Sequence, residues 1–273
     1  MSTSSKELKR MARANLTGRY QIPMFAFILA TLITTATDMI LTSVIPAYPS
    51  TFFTVVIYVF QFAILLLGIF FTFGQILIHL CMIRNFPFSV NQLFFGFQRR
   101  PERVFVVGLV LAIVQCLASA PLFYGQTLAA NKLVDTGLLS LTSMDILELS
   151  KIYCFYGLLT WILQLIVQLI FQFPLYLLLD YPDENPMKCL SRGIALMNGH
   201  RLRLLYLILS FIGLDILEVL SFGIGALWIE PYKMQTYALF YSDVAYNRSV
   251  GSSTYILYYS KEEFRYERKE KRH

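Results

Sequence analysis

Long runs of apolar residues limit what this chain can fold into more than any other feature. The run 51–83 reads TFFTVVIYVFQFAILLLGIFFTFGQILIHLCMI and contains no Asp, Glu, Lys or Arg. A helix needs about 20 apolar residues to cross the hydrocarbon core of a bilayer, so this run is longer than one crossing requires. Across the chain only 15% of residues are charged, whereas soluble domains have roughly 25%. We therefore expect an integral membrane protein.

Six apolar segments predict an all-α, polytopic membrane bundle of about six transmembrane helices. They cover 21–46, 51–83, 103–124, 153–180, 203–222 and 225–246. The first is longer than the apolar region of a signal peptide, about 7–15 residues, and is expected to stay in the membrane. The sixth is interrupted by Glu230, Lys233 and Asp243. It is expected either to span among other helices or to lie at the interface.

The basic residues are distributed unevenly between the connections. They concentrate at the N-terminus, in the connections 84–103 and 181–203, and in the C-terminal tail, whereas the connection 47–50 has none. Because short cytoplasmic loops are rich in Lys and Arg, this pattern predicts three antiparallel hairpins with both termini in the cytoplasm. The predicted regions are a cytoplasmic amphipathic helix at 1–20, a membrane domain at 21–246 and a charged cytoplasmic tail at 247–273.

Some of these basic residues are candidates for contact with anionic lipid headgroups. The N-terminal stretch has an apolar face that includes Leu8 and Leu16 beside a basic face, as helices at a membrane surface do. The alternative is a solvated charged surface. The net charge of +6 is dispersed between apolar runs, so lipid and membrane proteins are expected partners and nucleic acid is not. The candidate headgroup contacts are Lys6, Lys9, Arg10, Arg13, Arg99, Arg100, Arg201 and Arg203.

The two basic connections resemble each other. Each has a proline, a short amphipathic stretch, a glycine (Gly96 or Gly199), a basic cluster and then a new apolar segment. This similarity suggests a duplicated unit of span, surface helix and span, related by roughly 100 residues. Chance similarity between two membrane-surface patterns is the alternative.

Four stretches of the chain carry a resemblance to a known family. They are ELKRMARANLTGRY, PFSVNQLFFGFQRR, SRGIALMNGHRLRLLYLILSFIG and GIGALWIEPYKMQTYALFYSDV. Together they resemble the bacterial integral membrane family catalogued as domain of unknown function 975, over nearly all of 5–246. The resemblance implies a multi-pass protein of the bacterial plasma membrane and implies no reaction. Family members tend to have Trp after FIG and then apolar residues, whereas this chain has Leu214, Asp215 and Glu218.

The sequence has few residues arranged for enzyme chemistry. It contains no HExxH and no GxSxG, and its histidines are His79, His200 and His273. The four cysteines are far apart and form no CxxC pair, so we expect no metal site and no cofactor. An intramembrane enzyme that uses Asp215 or Glu218 is the least favoured function.

Polar side chains inside the spans form two candidate groups that face the bundle. Gln164, Gln168 and Gln172 recur every four residues and form one stripe on a helix, and Gln75 and His79 form a second pair. Amides in hydrocarbon seek partners. Both groups are therefore expected either to join helices by hydrogen bonds or to line a path for a small solute or ion.

Asp215 and Glu218 share one helix face within an apolar segment. If the last two segments form a hairpin centred near Ile224, Asp215 comes level with Lys233, and Glu218 with Glu230. A shallow ion cluster near the outer interface then tolerates charges that the bilayer centre would not. The interpretation is a structural cluster of Asp215, Glu218, Glu230 and Lys233, with a proton or cation site as the alternative.

From these patterns we expect a non-enzymatic accessory or scaffold protein that contacts lipid or partner proteins. The alternative is a small transporter or permease-like subunit whose polar path is lined by Gln164, Gln168 and Gln172. A transporter predicts a water-accessible cavity at this stripe. A scaffold predicts a dry, packed core.

Overall fold

The structure is a computed structural model that describes residues 3–43, 51–136 and 142–248, and within these ranges it contains helices and no strand. The connection 47–50 and most of the tail predicted at 247–273 lie outside the described residues. A short 3-10 helix, Val90–Phe94, precedes α4. The α-helices are α1 Ser5–Leu16, α2 Gln21–Ser43, α3 Thr51–Ile83, α4 Phe95–Gln98, α5 Pro101–Thr136, α6 Ser143–Phe171, α7 Pro174–Asp180, α8 Pro186–Leu196, α9 Arg201–Leu209, α10 Ile212–Leu220 and α11 Ala226–Arg248.

Local sequence explains where several helices begin. The Ser4 hydroxyl accepts a hydrogen bond from the Glu7 amide and caps α1. Thr142 and Asp145 form a reciprocal capping box at the start of α6. Such caps satisfy amide groups that have no partner in the first turn. Pro186 occupies the first turn of α8, where the missing N–H is tolerated.

Four helical segments within the described residues are long and apolar enough to cross a membrane. They are Gln21–Leu41, Val55–Ile83, Pro101–Val134 and Ser143–Asp180. These correspond to the first four predicted segments, so the prediction of an all-helical chain with several helices able to span a membrane is confirmed. The prediction of six spans is not, because the fifth and sixth segments do not form helices of this kind.

The fifth and sixth segments take other roles. The fifth is divided at Ser210 and Phe211 into the short helices α9 and α10. The sixth forms α11, where Gln235, Thr236 and Phe240 are completely buried. Since α11 is covered by other helices rather than by lipid, its polar side chains find partners inside the protein. Apolar character in α11 therefore reflects packing against protein.

The compact core lies at one end of the four long helices. In α3 the fully buried side chains run from Ile69 to Met82, whereas Val59 in the other half is 63% exposed. Leu117, in the middle of α5, is 69% exposed. The bare halves are apolar, as lipid-facing surfaces are. The other ends are enclosed by α1 and α7–α11, whose buried side chains belong to the same hydrophobic core.

The two basic connections fold back against the long helices. The Phe97 ring stacks on Phe70, with 4.7 Å between ring centroids. A Cβ added to Gly74 of α3 would lie 2.6 Å from the Leu93 carbonyl carbon, so only glycine permits this approach. Both connections contain short helices, as the repeated pattern predicts, but α5 is continuous and the segment after the second connection is broken.

α1 packs against α11 through its apolar face. Leu8, Ala12 and Leu16 are buried, and the Tyr232 hydroxyl lies 3.5 Å from the Lys9 carbonyl oxygen. The amphipathic helix predicted at the N-terminus is therefore present. Its apolar face contacts protein, while Lys6, Arg10 and Arg13 on its basic face are exposed.

Candidate functional site

A half-open cavity of about 540 Å³ lies between α3, α5, α6, α7, α10 and α11. Its volume falls within the range of small-molecule sites, roughly 300–1,000 Å³. The lining is mixed, with apolar side chains such as Ile69 and Leu111 beside amides, hydroxyls and charges. The polar lining residues include Thr72, Gln115, Gln164, Gln168, Gln172, Tyr176, Asp215, Glu230, Lys233 and Tyr237.

The glutamine stripe forms one wall of this cavity, and all three of its members line it. The Gln164 amide donates to the Ser119 hydroxyl at 2.9 Å and lies 3.3 Å from the Gln115 carbonyl oxygen of α5. Gln164 therefore joins α5 to α6, as the structural interpretation of the stripe expects. Gln168 and Gln172 lie further along the same wall. One amide of the stripe therefore joins two helices, and the stripe as a whole lines the cavity.

The charged wall of the cavity is centred on Lys233. Its Nζ lies 2.5 Å from Asp215 Oδ1, 2.6 Å from Glu230 Oε1 and 3.6 Å from Glu218 Oε2. The structure thus brings all four predicted residues together. Glu230 and Lys233 share one face of α11 at i,i+3 spacing, and the turn at 221–225 returns α10 beside them.

The location of the cluster corrects one prediction. A full-length hairpin would place these charges near the interface opposite the N-terminus. Instead, Lys9 of α1 donates to the Ser210 carbonyl oxygen at 2.7 Å, at the base of α10. The cluster therefore lies on the same side as α1. The prediction failed because it assumed that 203–222 crosses the membrane as one helix, whereas the segment breaks at Ser210 and Phe211.

Three carboxylates surround one ammonium in the cluster, so it carries excess negative charge. Burial opposes the charged form of Lys233, but hydrogen bonds with Asp215 and Glu230 outweigh burial and raise its pKa above the ordinary value. Lys233 therefore stays charged. Lys9 is a second cation close to Asp215 and offsets part of the excess. Within the described residues, no group of three or more His, Cys, Asp or Glu side chains is placed to hold a metal ion.

Gln75 and His79 face the interior, as predicted, but they lie apart from the glutamine stripe. Both are buried, and His79 Nδ1 lies 2.6 Å from the Gln235 side-chain oxygen of α11. The surrounding residues are tightly packed and include Pro23 of α2 and Pro231 of α11. His79 therefore joins α3 to α11, and neither residue of the pair lines the large cavity.

One buried ionic contact was not predicted from the sequence. Arg84, which follows α3, makes a bidentate pair with Asp180 at 2.9 and 3.1 Å, and Tyr241 donates to the same carboxylate at 2.6 Å. Asp180 is only 1% exposed. Breaking a buried pair of this kind costs roughly 3–5 kcal/mol. The sequence feature that could have indicated this ion pair is the position of Arg84 and Asp180, each of which lies at the end of a long apolar run.

The predicted headgroup contacts separate into two groups. Lys9 and Arg203 are engaged within the protein: Lys9 bonds to Ser210, and Arg203 lies 2.6 Å from the Asp243 carboxylate. Arg100 is half-exposed and pairs with Asp183 at 3.0 Å. The other side chains on the surface are Lys6, Arg10, Arg13, Arg99 and Arg201.

Asp243 ties the two ends of the described chain together. Its carboxylate accepts a hydrogen bond from the Thr3 hydroxyl at 2.6 Å, in addition to the contact with Arg203. Burial opposes ionisation of Asp243, but these hydrogen bonds outweigh it and lower the pKa below the ordinary value. The contact fixes the start of α1 against α9 and α11.

Comparison with protein families matches residues 1–248 to the family described as "Protein of unknown function (DUF975)". The match covers most of the chain and includes every helix described above. No curated protein and no solved structure matches.

Proposed function

The chain belongs to the DUF975 family, and on that premise we propose that it is a permease-like membrane protein that binds a small polar solute in the cavity between α5, α6, α10 and α11. The observation that carries this proposal is the cavity of about 540 Å³, lined by Gln164, Gln168 and Gln172 on one side and by Lys233 on the other.

The chemistry of the lining supports a polar solute. Amide groups donate and accept hydrogen bonds, and the ion cluster offers both signs of charge. Apolar side chains make up the rest of the wall. Such a mixture is typical of small-molecule sites, in which a few polar groups orient the ligand and apolar surface excludes water.

The cavity favours this function over the scaffold role expected first. Gln164 joins two helices and suits either function, but a dry, packed core would not leave Gln168, Gln172 and the ion cluster around the same open volume. No catalytic step is part of the proposal. We also propose a location in the bacterial plasma membrane with both termini in the cytoplasm, supported by the basic connections 84–103 and 181–203.

Cysteine accessibility tests the proposal. The exposed Cys116 and Cys154 are replaced with alanine, and the buried Cys81 and Cys189 are retained. Gln168→Cys is then exposed to a charged maleimide, first in intact cells and then in inverted vesicles. The matched control is Ile166→Cys, because Ile166 lies on the same helix, is 44% exposed and does not line the cavity.

We expect Gln168→Cys to react from both sides of the membrane and Ile166→Cys to stay unreactive, because a charged reagent needs water to reach a thiol. Reaction from one side alone supports a binding cavity without transport. If Gln168→Cys is as unreactive as Ile166→Cys, the core is dry, and the scaffold function replaces the permease function.

A further inference from the structure

The segment from Ile216 to Ile224 has polarity opposite to that of a helix exposed to water. Its outward side chains are apolar, and Leu220 and Phe222 are 71% and 96% exposed. In contrast, its one acid, Glu218, turns toward Lys233 of α11, as does Asp215 directly before the segment. A helix at a protein–water surface turns its charges outward and its apolar face inward.

We infer that this segment, which we call the α10 tip, is inserted into the lipid acyl chains of one leaflet as a re-entrant turn. Acyl chains are the surroundings that match an apolar exterior. The α10 tip also belongs to a chain with four helices long and apolar enough to span a membrane, and these helices expose apolar side chains. This inference does not depend on whether the cavity binds a solute.

Backbone hydrogen bonding at the turn supports insertion. A backbone amide without a partner is costly in hydrocarbon, because no water is present to replace the lost bond. The Gly223 amide donates to Glu218 O at 3.0 Å, and the Gly225 amide donates to the Ser221 hydroxyl at 2.8 Å. The amides of Ser221, Phe222 and Ile224 also have backbone acceptors. Every amide from 221 to 225 is therefore satisfied within the turn.

Two consecutive residues with positive φ close this turn: Phe222, at +52°, takes the left-handed position of a Schellman motif, and Gly223 follows it. Gly223 has φ +84°, a conformation that L side chains rarely adopt. Its amide reaches back to the carbonyl of residue 218, which is the longer of the two hydrogen bonds of a Schellman motif. Several of the last carbonyl groups of α10 thus accept hydrogen bonds from amides of the turn. This favours burial of the helix end in lipid, where no water is present to bond to them.

The position of α1 indicates which leaflet receives the tip. Lys9 contacts both the Ser210 carbonyl oxygen and the ring of Phe211, with its Nζ 4.0 Å from the ring centroid. The base of α10 therefore lies beside the basic, amphipathic helix, and the ion cluster lies just beyond it. From Asp215 to Leu220 the helix rises about 7.5 Å. The tip accordingly enters the leaflet on the side of α1 without crossing the membrane.

Fluorescence quenching in proteoliposomes tests the insertion. Single-cysteine variants carry an environment-sensitive label at Leu220→Cys or at Phe222→Cys, and the full chain is reconstituted. The natural Cys116, exposed in the middle of α5, provides the lipid-facing control. Lys188→Cys, on the exposed face of α8, provides the water-facing control. The quenchers are a spin label on lipid acyl chains and iodide on both faces of the vesicle.

We expect both tip labels to lose fluorescence to the acyl-chain quencher within a factor of about two of Cys116, as buried interfacial helices do, and to resist iodide. Quenching by iodide to the level of Lys188→Cys would show that the tip lies in water and overturn the inference. Quenching by neither reagent would also overturn it, because another protein surface would then cover the tip. Two label positions guard against disturbance by a single substitution.

Discussion

Replacing Lys233 with Met removes the ammonium that lies within 4 Å of Asp215, Glu218 and Glu230, while most of the side-chain volume remains. Three carboxylates are then left close together without that cation. We expect Lys233→Met to destabilise the protein because these charges repel one another and have lost their partner.

The magnitude follows from how far each group is exposed. Breaking a buried ion pair costs roughly 3–5 kcal/mol, whereas exposed pairs contribute about 0–1 kcal/mol. The Lys233 side chain is 13% exposed, but Asp215 is 46% exposed, so solvent stabilises part of the remaining charge. The free energy of unfolding should therefore fall by about 2 kcal/mol. For a chain of this size, that corresponds to a fall in Tm of about 4–8 °C.

The double variant Asp215→Leu with Lys233→Met separates pairing from other effects of the substitution. It removes one of the stranded carboxylates together with the ammonium, so it should lose less stability than Lys233→Met alone. The assay is thermal unfolding of the purified protein in detergent. Lys188→Met is the matched control, because Lys188 is exposed on α8. Equal Tm values for the single and double variants would refute the pairing. A Lys233→Met variant with the same Tm as the wild type would also refute it.

Two further substitutions test the packing and the chain ends. Gly74→Ala should lower the free energy of unfolding by about 1–3 kcal/mol, because its Cβ would lie 2.6 Å from the Leu93 carbonyl carbon. The control is Gly68→Ala in the same helix, which has open space and should be neutral or stabilising in the same unfolding assay. Equal losses of stability in the two variants would contradict the close approach at Gly74. Asp243→Asn should cost about 2 kcal/mol near neutral pH, because it weakens charge-assisted hydrogen bonds. Since the folded pKa of Asp243 is lowered, its contribution is present above the ordinary carboxyl pKa and is lost as pH falls through the lower folded value. The stability difference between wild type and Asp243→Asn should therefore shrink below about pH 4, and a difference that stays constant down to pH 3 would count against this role.

The candidate site was partly predictable because some of its residues are neighbours along a helix. The glutamine stripe and the pair Glu230–Lys233 follow from helical periodicity alone. The meeting of Asp215 with Lys233 was expected from a hairpin, and the turn at 221–225 does bring them within 2.5 Å. The predicted position of the cluster, near the interface opposite the N-terminus, was wrong because it assumed that α9 and α10 form one continuous helix.

Other contacts join residues too far apart in sequence for periodicity to connect them. Arg84 and Asp180 meet because α3 and α7 end at the same place, and Tyr241 joins them from α11. His79 and Gln235 are likewise brought together by the packing of α3 on α11. These pairings depend on how helices pack.

From the sequence alone, the length and apolar character of the runs determined a helical membrane protein, because each spanning helix must satisfy its own backbone in lipid and expose apolar side chains. Family membership was likewise recognisable from the motifs. Only the tertiary structure decided that 203–222 breaks into two helices and that α11 is covered by protein. Hydropathy measures the preference of a segment for leaving water, and a lipid tail and a packed neighbouring helix satisfy that preference almost equally. Which of the two surrounds an apolar segment is settled by the contacts of its polar side chains, as Lys233 and Gln235 show for α11.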